Sequence, residues 1–510
     1  MNLGDVSGRR WDALVVGAGH NGLTCAAYLA RAGRSVLVLE RRSVVGGAAA
    51  IEEPWPGYRV SPCAYLAGLL HQRVVDDLDL RRHGVRVTLL DPQMVAPVEP
   101  GLNLVEWRDR ERTLAGIATW APNQVDGYRA LGEFWDRVNL ALRPPDDDLW
   151  LQEAPTREQV ETRLSHDPEM IRAVFESSVV DDLRRFLTDE RLVGALASQG
   201  IIGTDASPYD PGTAFVRYHH MSGALEGGDG DWGFVHGGIG VVSMALRSAA
   251  EEAGAVIVTD AVVGRISPGH GVMLEDGTLI PTQVVISNAD PVRTLGLVEP
   301  AEVPADFAER VEAWEITGVS CKVNAALSSL PVFNDLPDSA AGQVDVGPGL
   351  DALHGSHRSA ARGEMGEPWA ELYFQTAYDP TVAPDGKHVM SAFVQYVPYE
   401  WADGGSWDDH RDEVGTKVVA AIERWSPGFT GLVEGIEVSG PPDIEDKIGL
   451  TGGHIFQGDC LPHQMFDRRM PYHTPIESVY LCGACTHPGG SVIAANGRNA
   501  ALQVLADLGG

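Results

Sequence analysis

Three glycines and an acidic residue near the start of the chain have the types and the spacing of a dinucleotide-binding site. Gly17, Gly19 and Gly22 form a G-x-G-x-x-G turn, in which the missing side chains let the backbone approach a pyrophosphate. Glu40 closes the following apolar run, where a carboxylate accepts hydrogen bonds from a ribose diol. Because an acid there favours an unphosphorylated adenosine ribose, these residues predict FAD or NAD rather than NADP.

The segments around these residues complete a βαβ unit. Asp12–Val16 and Ser35–Leu39 are apolar runs of strand length, and Leu23–Arg31 between them has the pattern of a helix. The N-terminus of that helix offers unpaired N–H groups and a partial positive charge to phosphates. A glycine turn without a ligand is the alternative interpretation, and the joint presence of strand, helix and acid disfavours it.

A second glycine-rich segment lies near the other end of the chain. Val479–Ala484 has the pattern of a strand, and Gly489–Val492 begins the predicted last helix. A helix N-terminus at the N1–C2=O edge of a flavin would stabilise the anionic reduced ring and favour hydride acceptance at N5. Enzymes that pass hydride between NAD(P)H and flavin in one chain usually carry two dinucleotide units. Since this sequence has one, it predicts a single, tightly held FAD.

Histidines supply the candidates for proton transfer. His487 lies between the last strand and the last helix, so it is the candidate catalytic residue, and orienting that loop is its alternative role. His219 and His220 either border the substrate cavity or cap a helix. A glycine-rich segment before the last strand either walls the cavity or lies at the surface, and its polar residues are His454, Asp459 and Gln464. Hydride abstraction itself needs only orientation over N5 and a proton acceptor, which could be solvent.

Cys482 and Cys485 form a C-x-x-C pattern. A redox pair is one interpretation, but such a pair is expected beside the first cofactor-binding helix, where Cys25 stands alone. Small buried cysteines at a strand end are therefore the favoured interpretation. Together with His487 the two cysteines make only three ligands and no second cluster completes a tetrahedral site, so no metal is predicted.

Composition and charge restrict the class of protein. A chain of 510 residues is too long for one compact core, and 44% hydrophobic with 22% charged residues is ordinary for a globular protein. The formal net charge of -32 argues against nucleic acid and anionic membrane surfaces as partners. No apolar run approaches the ~20 residues of a membrane span, and Met1–Arg10 has no apolar signal core. The expected location is therefore cytoplasmic.

The remaining chain alternates between helical and sheet-like patterns. Helices are predicted at Ser61–Leu70, Asn123–Leu142, Pro168–Leu187 and Asp409–Trp425, and strands at Gly84–Val95, Gly271–Leu274, Val284–Ser287, Ser320–Leu327 and His388–Val397. This order predicts a discontinuous FAD-binding domain of residues 1–105, 228–300 and 440–510. Residues 106–227 and 301–439 would form a substrate-binding domain with a helical subdomain.

The motifs occur in the order found in a known family. The segments are Gly17–Gly22, Glu40-Arg41, Gly46-Gly47, Gly237-Gly238, Asn288–Pro291 and Cys482–Gly490. In this order the chain resembles the phytoene dehydrogenase-like FAD flavoproteins. Four further stretches are most similar to the branch named pyridine nucleotide-disulphide oxidoreductase domain-containing protein two, namely Trp232–Val242, Asp379–His388, Pro442–Glu445 and Gly452–Gln464.

The resemblance implies an α/β chain with the glutathione-reductase-type FAD-binding (Rossmann-like) fold and a substrate domain of mixed β-sheet plus helices. Val263 would offer backbone groups to the adenine, and Ala484 supplies no carboxylate, so ribitol and phosphate contacts there would come from backbone. The predicted cofactor-binding residues are Gly17, Gly19, His20, Asn21, Gly22, Glu40, Arg41, Gly46, Gly47, Ala48, Val263, Asn288, Gly483, Ala484, Gly490, Ser491 and Val492. Ser491 and Ala494–Asn496 depart from the glycine-containing pattern of the family.

These observations predict an FAD-dependent oxidoreductase, a dehydrogenase, desaturase or oxidase. It would transfer a hydride from a small or apolar organic substrate to flavin N5, with oxygen or a quinone as electron acceptor. Neither nucleic acid nor a membrane-spanning segment is expected, and a homodimer is among the expected assemblies. Two alternatives stay open: a flavin-dependent isomerase with no net redox change, and an FAD-free binding protein of the GDP-dissociation-inhibitor type.

Overall fold

The computed structural model describes residues 6–227, 230–334, 336 and 342–509. Within these ranges no helix is both long and apolar enough to cross a membrane. The domain boundary expected at residue 228, and the expected domain ends at residues 1 and 510, lie outside the described residues.

Strands and helices alternate over the chain. The strands are β1 Trp11–Val16, β2 Val36–Leu39, β3 Glu52–Trp55, β4 Tyr58–Val60, β5 Val87–Leu89, β6 Met94–Glu99, β7 Leu102–Glu106, β8 Gly233–Val235, β9 Val256–Val258, β10 Val263–Ser267, β11 Gly271–Leu274, β12 Leu279–Ser287, β13 Ser320–Leu327, β14 Gln343–Val346, β15 Trp369–Tyr373, β16 His388–Gln395, β17 Val433–Ser439 and β18 Val479–Leu481. The helices are α1 His20–Arg31, α2 Gln72–Asp77, α3 Arg110–Ala118, α4 Val125–Leu142, α5 Arg157–Arg163, α6 Pro168–Phe175, α7 Val179–Arg184, α8 Glu190–Ala197, α9 Thr213–Met221, α10 Gly240–Glu252, α11 Pro291–Gly296, α12 Ala305–Glu312, α13 Leu350–Ala360, α14 Trp407–Glu423, α15 Pro441–Ile448 and α16 Ala495–Asp507.

The first seven-stranded sheet forms around the apolar strand β1. Its order is β10-β11-β12-β1-β2-β9, and β18 also pairs with β12. Strand β1 lies parallel to β2 and β12, with Val15 in register with Val38 and Ile286. All residues of β2 are buried, as expected for a parallel sheet that is covered on both faces. The pairing of β18 with β12 brings the two ends of the chain into one sheet.

Helix α1 follows the glycine turn directly and packs against α10 and α16. Its buried face includes Leu23, Ala26 and Leu29. The approach of α16 is so close that a Cβ on Gly497 would lie 3.0 Å from the backbone nitrogen of Cys25. The C-terminal helix therefore packs directly on the first helix of the dinucleotide unit.

The second seven-stranded sheet has the order β17-β13-β16-β15-β14-β6-β7. Its pairs are antiparallel except for β14 with β6, which lie parallel. Strand β17 lies within the range 301–439 expected for the substrate-binding domain, whereas β6 belongs to this sheet although it lies within the range 1–105 expected for the FAD-binding domain. The division into domains stays a prediction. Helix α14 covers one face of the sheet with Val414, Val418 and Ile422.

Helices α3 to α9 pack around a shared apolar core. Phe134 and Trp135 of α4 pack in one core with Leu192 of α8, and this core continues to Trp369 and Phe393 of the second sheet. The indole of Trp135 donates a hydrogen bond of 2.9 Å to the buried Asp182. The amphipathic stripes of these helices are therefore core rather than membrane-contacting surface.

Two predicted segments near the N-terminal half are corrected. Ser61–Leu70 is not a helix, because Ala67 exchanges backbone hydrogen bonds with Gly233 and α2 begins only after the cap at His71. The segment predicted as one strand at Gly84–Val95 contains β5 and the start of β6 instead. Pro92 separates them, since a proline has no N–H for the ladder.

Two predicted helices also differ from the structure. Pro168–Leu187 contains α6 and α7, because the Ser178 side chain accepts a hydrogen bond from Asp181 N–H and starts a new helix. The last helix begins at Ala495 rather than at Gly489–Val492. The preceding turn keeps left-handed backbone at Ser491, which a helix cannot include.

Candidate active site

The glycine turn after β1 forms one end of a large cavity. Gly17 has φ +95°, a left-handed conformation that favours glycine. A Cβ on Gly22 would overlap the carbonyl oxygen of Gly17, and a Cβ on Gly19 would lie 2.6 Å from Asn288 Nδ2. The backbone therefore favours glycine at Gly17 and Gly22, whereas a side chain at Gly19 would displace the Asn288 amide. His20 at the start of α1 lines the cavity.

Glu40 follows β2 with its carboxylate buried at the cavity wall. Its Oε2 accepts a hydrogen bond from Ala18 N–H at 2.8 Å, and its Oε1 accepts one from Arg42 N–H at 2.9 Å. Each oxygen retains a further lone-pair site, so the carboxylate is held in place and can still accept a bond from a diol. Arg41 lines the same wall and donates to the carbonyl oxygen of Asp446 at 2.5 Å.

The residues at this end fit a dinucleotide. His20 Nε2 and Asn21 Oδ1 are buried and have no hydrogen-bond partner among the described residues, and both side chains belong to the lining. Buried polar atoms are normally paired, so a ligand would complete them. The glycine turn Gly17–Gly22, here called the glycine cradle, leaves space that a Cβ would fill, and the fixed carboxylate of Glu40 lies beside it. This arrangement matches a pyrophosphate at the turn and a ribose at the carboxylate.

The segment before α16 forms another wall of the cavity. Ser491 (φ +98°) and Ala494 (φ +65°) adopt left-handed conformations that favour glycine. Of the residues that depart from the family pattern, Ser491 and Ala494 thus keep a glycine-like backbone. Ser491 and Val492 line the cavity. Gly490 lies behind them, and its carbonyl oxygen accepts a hydrogen bond of 3.0 Å from His219 Nε2.

The cavity has a volume of about 590 Å³, which lies in the range of small-molecule sites. It brings together residues from both ends of the chain, and the predicted cofactor-binding residues in its lining are Gly17, Gly19, His20, Asn21, Glu40, Arg41, Gly46, Gly47, Ala48, Val263, Asn288, Ala484, Ser491 and Val492. Gly22, Gly483 and Gly490 are not in the lining, but each lies directly against a residue that is. The cofactor contacts of all these residues stay predictions.

Lys322 is a functional candidate that the sequence patterns did not single out. It lies on β13 and lines the cavity, yet its side chain is 3% exposed and its Nζ has no hydrogen-bond partner among the described residues. The Nζ lies 4.3 Å from the centroid of the Tyr65 ring. Burial lowers the pKa of the amine from 10.5 to about 7. A lysine inside the apolar strand Ser320–Leu327, in a chain with four lysines, was the available signal.

A buried carboxyl pair lies beyond Tyr65. Gln199 Nε2 donates to Asp345 at 2.8 Å and to Glu371 at 3.0 Å, and the Tyr373 hydroxyl donates to Glu371 at 2.7 Å. Burial raises the pKa of both carboxyl groups. Tyr65 stacks on Tyr373 with ring centroids 4.1 Å apart. Nothing local in the sequence links these residues, which β14, β15 and the turn after α8 bring together.

A smaller cavity of about 250 Å³ adjoins the first. The residues that line both are Tyr65, Ile202, His220 and Trp232. Helices α4 and α9 and strand β15 supply further lining. His220 thus borders the cavities, whereas His219 is engaged with Gly490.

The remaining polar candidates lie outside both linings. His487 is buried, donates from Nε2 to the Leu149 carbonyl oxygen at 2.8 Å, and has its pKa lowered to about 4 by burial. Its catalytic role stays a prediction. His454 and Asp459 form a buried pair, in which His454 Nε2 lies 2.9 Å from Asp459 Oδ1. The backbone N–H of Asp459 donates a hydrogen bond to the Gln464 side chain. The three polar residues of the glycine-rich segment before the last strand therefore bond to one another.

The cysteines of the C-x-x-C pattern are free and buried. Burial raises the pKa of Cys485 to about 12, and neither thiol lines the two cavities. In the part of the chain that the structure describes, no group of three His, Cys, Asp or Glu side chains is placed to hold a metal ion.

Known proteins are similar to this chain in its first segment and over nearly its full length. A model of the NAD(P)-binding Rossmann-like domain matches residues 15–76. Pyridine nucleotide-disulfide oxidoreductase domain-containing protein 2 of Rattus norvegicus is 34% identical, over 98% of this chain and 94% of its own. Phytoene desaturase of Fusarium fujikuroi is 23% identical over 97% and 89%. The structure of cyclohexylamine oxidase from Brevibacterium oxydans IH-35A has a TM-score of 0.62 at 18% identity and covers 98% and 100%.

These similarities confirm the predicted fold, a mixed α/β architecture with a Rossmann-like domain and a second mixed sheet. They also confirm the phytoene dehydrogenase-like resemblance. Identity above 30% over nearly the full length of both chains places the sequence in a family. The chain belongs to the family of pyridine nucleotide-disulfide oxidoreductase domain-containing protein 2, among the flavin oxidoreductases.

Proposed function

We propose that this protein is an FAD-dependent oxidoreductase that removes a hydride and a proton from an organic substrate. One observation carries the proposal: the glycine turn and Glu40 face the same cavity as the unpaired, buried Lys322. When bound, FAD supplies a two-electron acceptor at N5. Oxygen or a quinone would remove these electrons in the following step.

The first-sheet side of the cavity would bind the cofactor. Gly17–Gly22 and the start of α1 would receive the pyrophosphate, and Glu40 would accept the ribose hydroxyls. Val263 would offer backbone groups to the adenine. Ser491 and Val492 line the cavity from the C-terminal segment and would hold the other end of the cofactor.

The second-sheet side would handle the proton. At neutral pH an amine with a pKa of about 7 is partly unprotonated, so Lys322 Nζ can accept a proton from a substrate O–H or N–H. The Tyr65 hydroxyl lies 3.4 Å from Glu371 Oε2. The ring and hydroxyl of Tyr65 thus separate the amine from the buried carboxyl pair, which would hold or release a proton further from the reacting atoms.

The name of the rat relative mentions disulfides, but disulfide exchange is not part of this proposal. An exchanging cysteine is normally an accessible thiol with a lowered pKa. The thiols of Cys482 and Cys485 are buried and lie outside both cavities, and the pKa of Cys485 is raised. Cys63 and Cys321 do line the cofactor cavity, but both are free and burial raises the pKa of both thiols. Chemistry at the cavity would therefore use flavin, Lys322 and substrate without a protein disulfide.

The test is the spectrum of the purified protein with and without substrates. We expect visible flavin absorbance, release of FAD on denaturation, and anaerobic bleaching by members of an amine, alcohol and alkene panel. In Lys322→Met the flavin content should stay the same and bleaching should slow by about 10²- to 10⁴-fold, the range of general base catalysis. A protein that stays colourless after incubation with FAD refutes the proposal. Turnover of a substrate without net bleaching or acceptor consumption would replace it by the isomerase alternative.

A further inference from the structure

The smaller cavity contains a buried arginine without a partner. Arg217 on α9 is 6% exposed, and its Nε has no hydrogen-bond partner and its guanidinium no ion pair among the described residues. The other arginines in this lining are paired, Arg108 with Asp231 and Arg110 with Asp136, each at 2.9 Å. The charge of Arg217 interacts electrostatically with the buried Asp182, but that carboxylate is hydrogen-bonded to Trp135 and Arg185. A ligand group is therefore the natural hydrogen-bond partner of Arg217.

A second unpartnered group lies one helical turn further along α9. His220 Nδ1 lies 2.8 Å from the Val216 carbonyl oxygen, so Nδ1 carries the proton and donates it. The buried Nε2 of the neutral ring is then an acceptor, and it has no partner among the described residues. Residues at i and i+3 share one helix face. Arg217 and His220 therefore offer a charged donor and a neutral acceptor to the same cavity.

We propose that the smaller cavity is a binding subsite for the carboxylate end of the substrate, a hydroxy or amino acid derivative. Arg217 would pair with the carboxylate, and His220 Nε2 would accept a hydrogen bond from a hydroxyl or N–H group of the same molecule. The inference rests on the proposed function, because the rest of the ligand would pass the shared residues Tyr65 and Trp232 into the cofactor cavity.

The chemistry of the lining selects a carboxylate over a more highly charged anion. A guanidinium carries one positive charge in a planar fork that matches a carboxylate. Glu106, which accepts a hydrogen bond from Tyr128, and Glu371 line the same cavity. A phosphate dianion would therefore add a second charge near acidic groups, whereas a monoanion balances Arg217.

Calorimetric titration of the flavin-loaded protein tests the subsite with three probes: 3-hydroxybutyrate, its methyl ester and butyrate. We expect 3-hydroxybutyrate to bind, and its methyl ester to bind at least about 10-fold more weakly, because the ester removes the charge. Arg217→Met should weaken binding of the acid by about 10- to 100-fold, while Arg184→Met, which removes a surface arginine paired with Glu190 outside the cavity, should leave the affinity unchanged. His220→Leu should remove the preference for 3-hydroxybutyrate over butyrate and keep the affinity for butyrate.

The outcomes separate this inference from the proposed function. Visible flavin absorbance reports the cofactor in every variant, so a colourless protein counts against the proposed function. A yellow protein that binds none of the acids up to about 20 mM, or binds acid and ester equally, overturns the subsite alone. Equal affinity of the wild type and Arg217→Met also overturns it. If Arg217→Met does not fold, Arg217→Lys keeps the charge without the fork and should weaken the acid by about 10-fold.

Discussion

Replacing Lys322 by methionine should stabilise the protein at neutral pH. Methionine has a similar length and no charge, so it removes the cost of burying an ammonium group without a partner. The pKa of Lys322 falls from 10.5 to about 7 on folding. At 1.36 kcal/mol per pKa unit, this difference corresponds to about 5 kcal/mol in the free energy of unfolding.

The sign of the effect follows from proton binding in the two states. Below pH 7 both the folded and the unfolded chain carry the proton, so the full cost applies. Between pH 7 and 10.5 the unfolded chain keeps a proton that the folded protein has released, and the stability of the wild type rises with pH relative to Lys322→Met. Above pH 10.5 both states are neutral and the difference disappears.

Denaturant unfolding of the flavin-loaded wild type and variant, at about pH 6, 8 and 10, measures this difference. We expect the variant to be more stable by about 5 kcal/mol at the lowest pH and by less than about 1 kcal/mol at the highest. Lys387→Met is the control, because this lysine lies at the surface against Glu434. A gap that is independent of pH, or that widens as the pH rises, would refute the reasoning.

Three further changes test other parts of the structure. Gly22→Ala should abolish flavin binding, because its Cβ would overlap the Gly17 carbonyl oxygen, whereas Gly116→Ala has open space and should retain flavin; equal absorbance in both variants would contradict the cradle. Burial raises the pKa of Glu371 above 4.5, so the folded protein keeps a proton that the unfolded chain releases, and the stability falls as the pH rises. Glu371→Gln should reduce this fall of the thermal unfolding temperature between about pH 5 and 8. An unchanged dependence of that temperature on pH would count against a raised pKa of Glu371. His487→Leu should lower the free energy of unfolding by about 1–3 kcal/mol, because the buried Leu149 carbonyl oxygen loses its donor; a loss of turnover that exceeds the loss of flavin would support the predicted catalytic role.

The cofactor side of the fold could be predicted from the sequence because its signals are local. The glycine turn, the strands on either side of α1 and the acid at Glu40 follow each other within one βαβ unit. Strands β11 and β13 have the predicted bounds, Gly271–Leu274 and Ser320–Leu327. Where a distant partner decides the conformation, as Gly233 does for the segment around Ala67, the local pattern predicted the wrong element.

The substrate side could not be predicted because its polar groups meet only through long-range contacts. Lys322, Glu371 and Arg217 lie on β13, β15 and α9. In the sequence each is a charged residue within an apolar element, with no spacing that relates it to the others. Their burial and their missing or shared hydrogen-bond partners become visible only when the second sheet and the helical region close around the two cavities.

The position of these buried charges is itself an argument for function. A fold selected for stability alone would replace an unpartnered lysine and an unpartnered arginine by apolar side chains of similar size. Here both face cavities that share Tyr65 and Trp232: Lys322 lies in the cavity that contains the glycine turn, and Arg217 lies in the adjoining one. Such groups cost stability unless a ligand pairs with them, and a buried amine with a lowered pKa that faces a cleft, as at Lys322, is typical of functional sites. Their separation suggests a division of labour, in which Arg217 fixes the end of the substrate and Lys322 takes the proton.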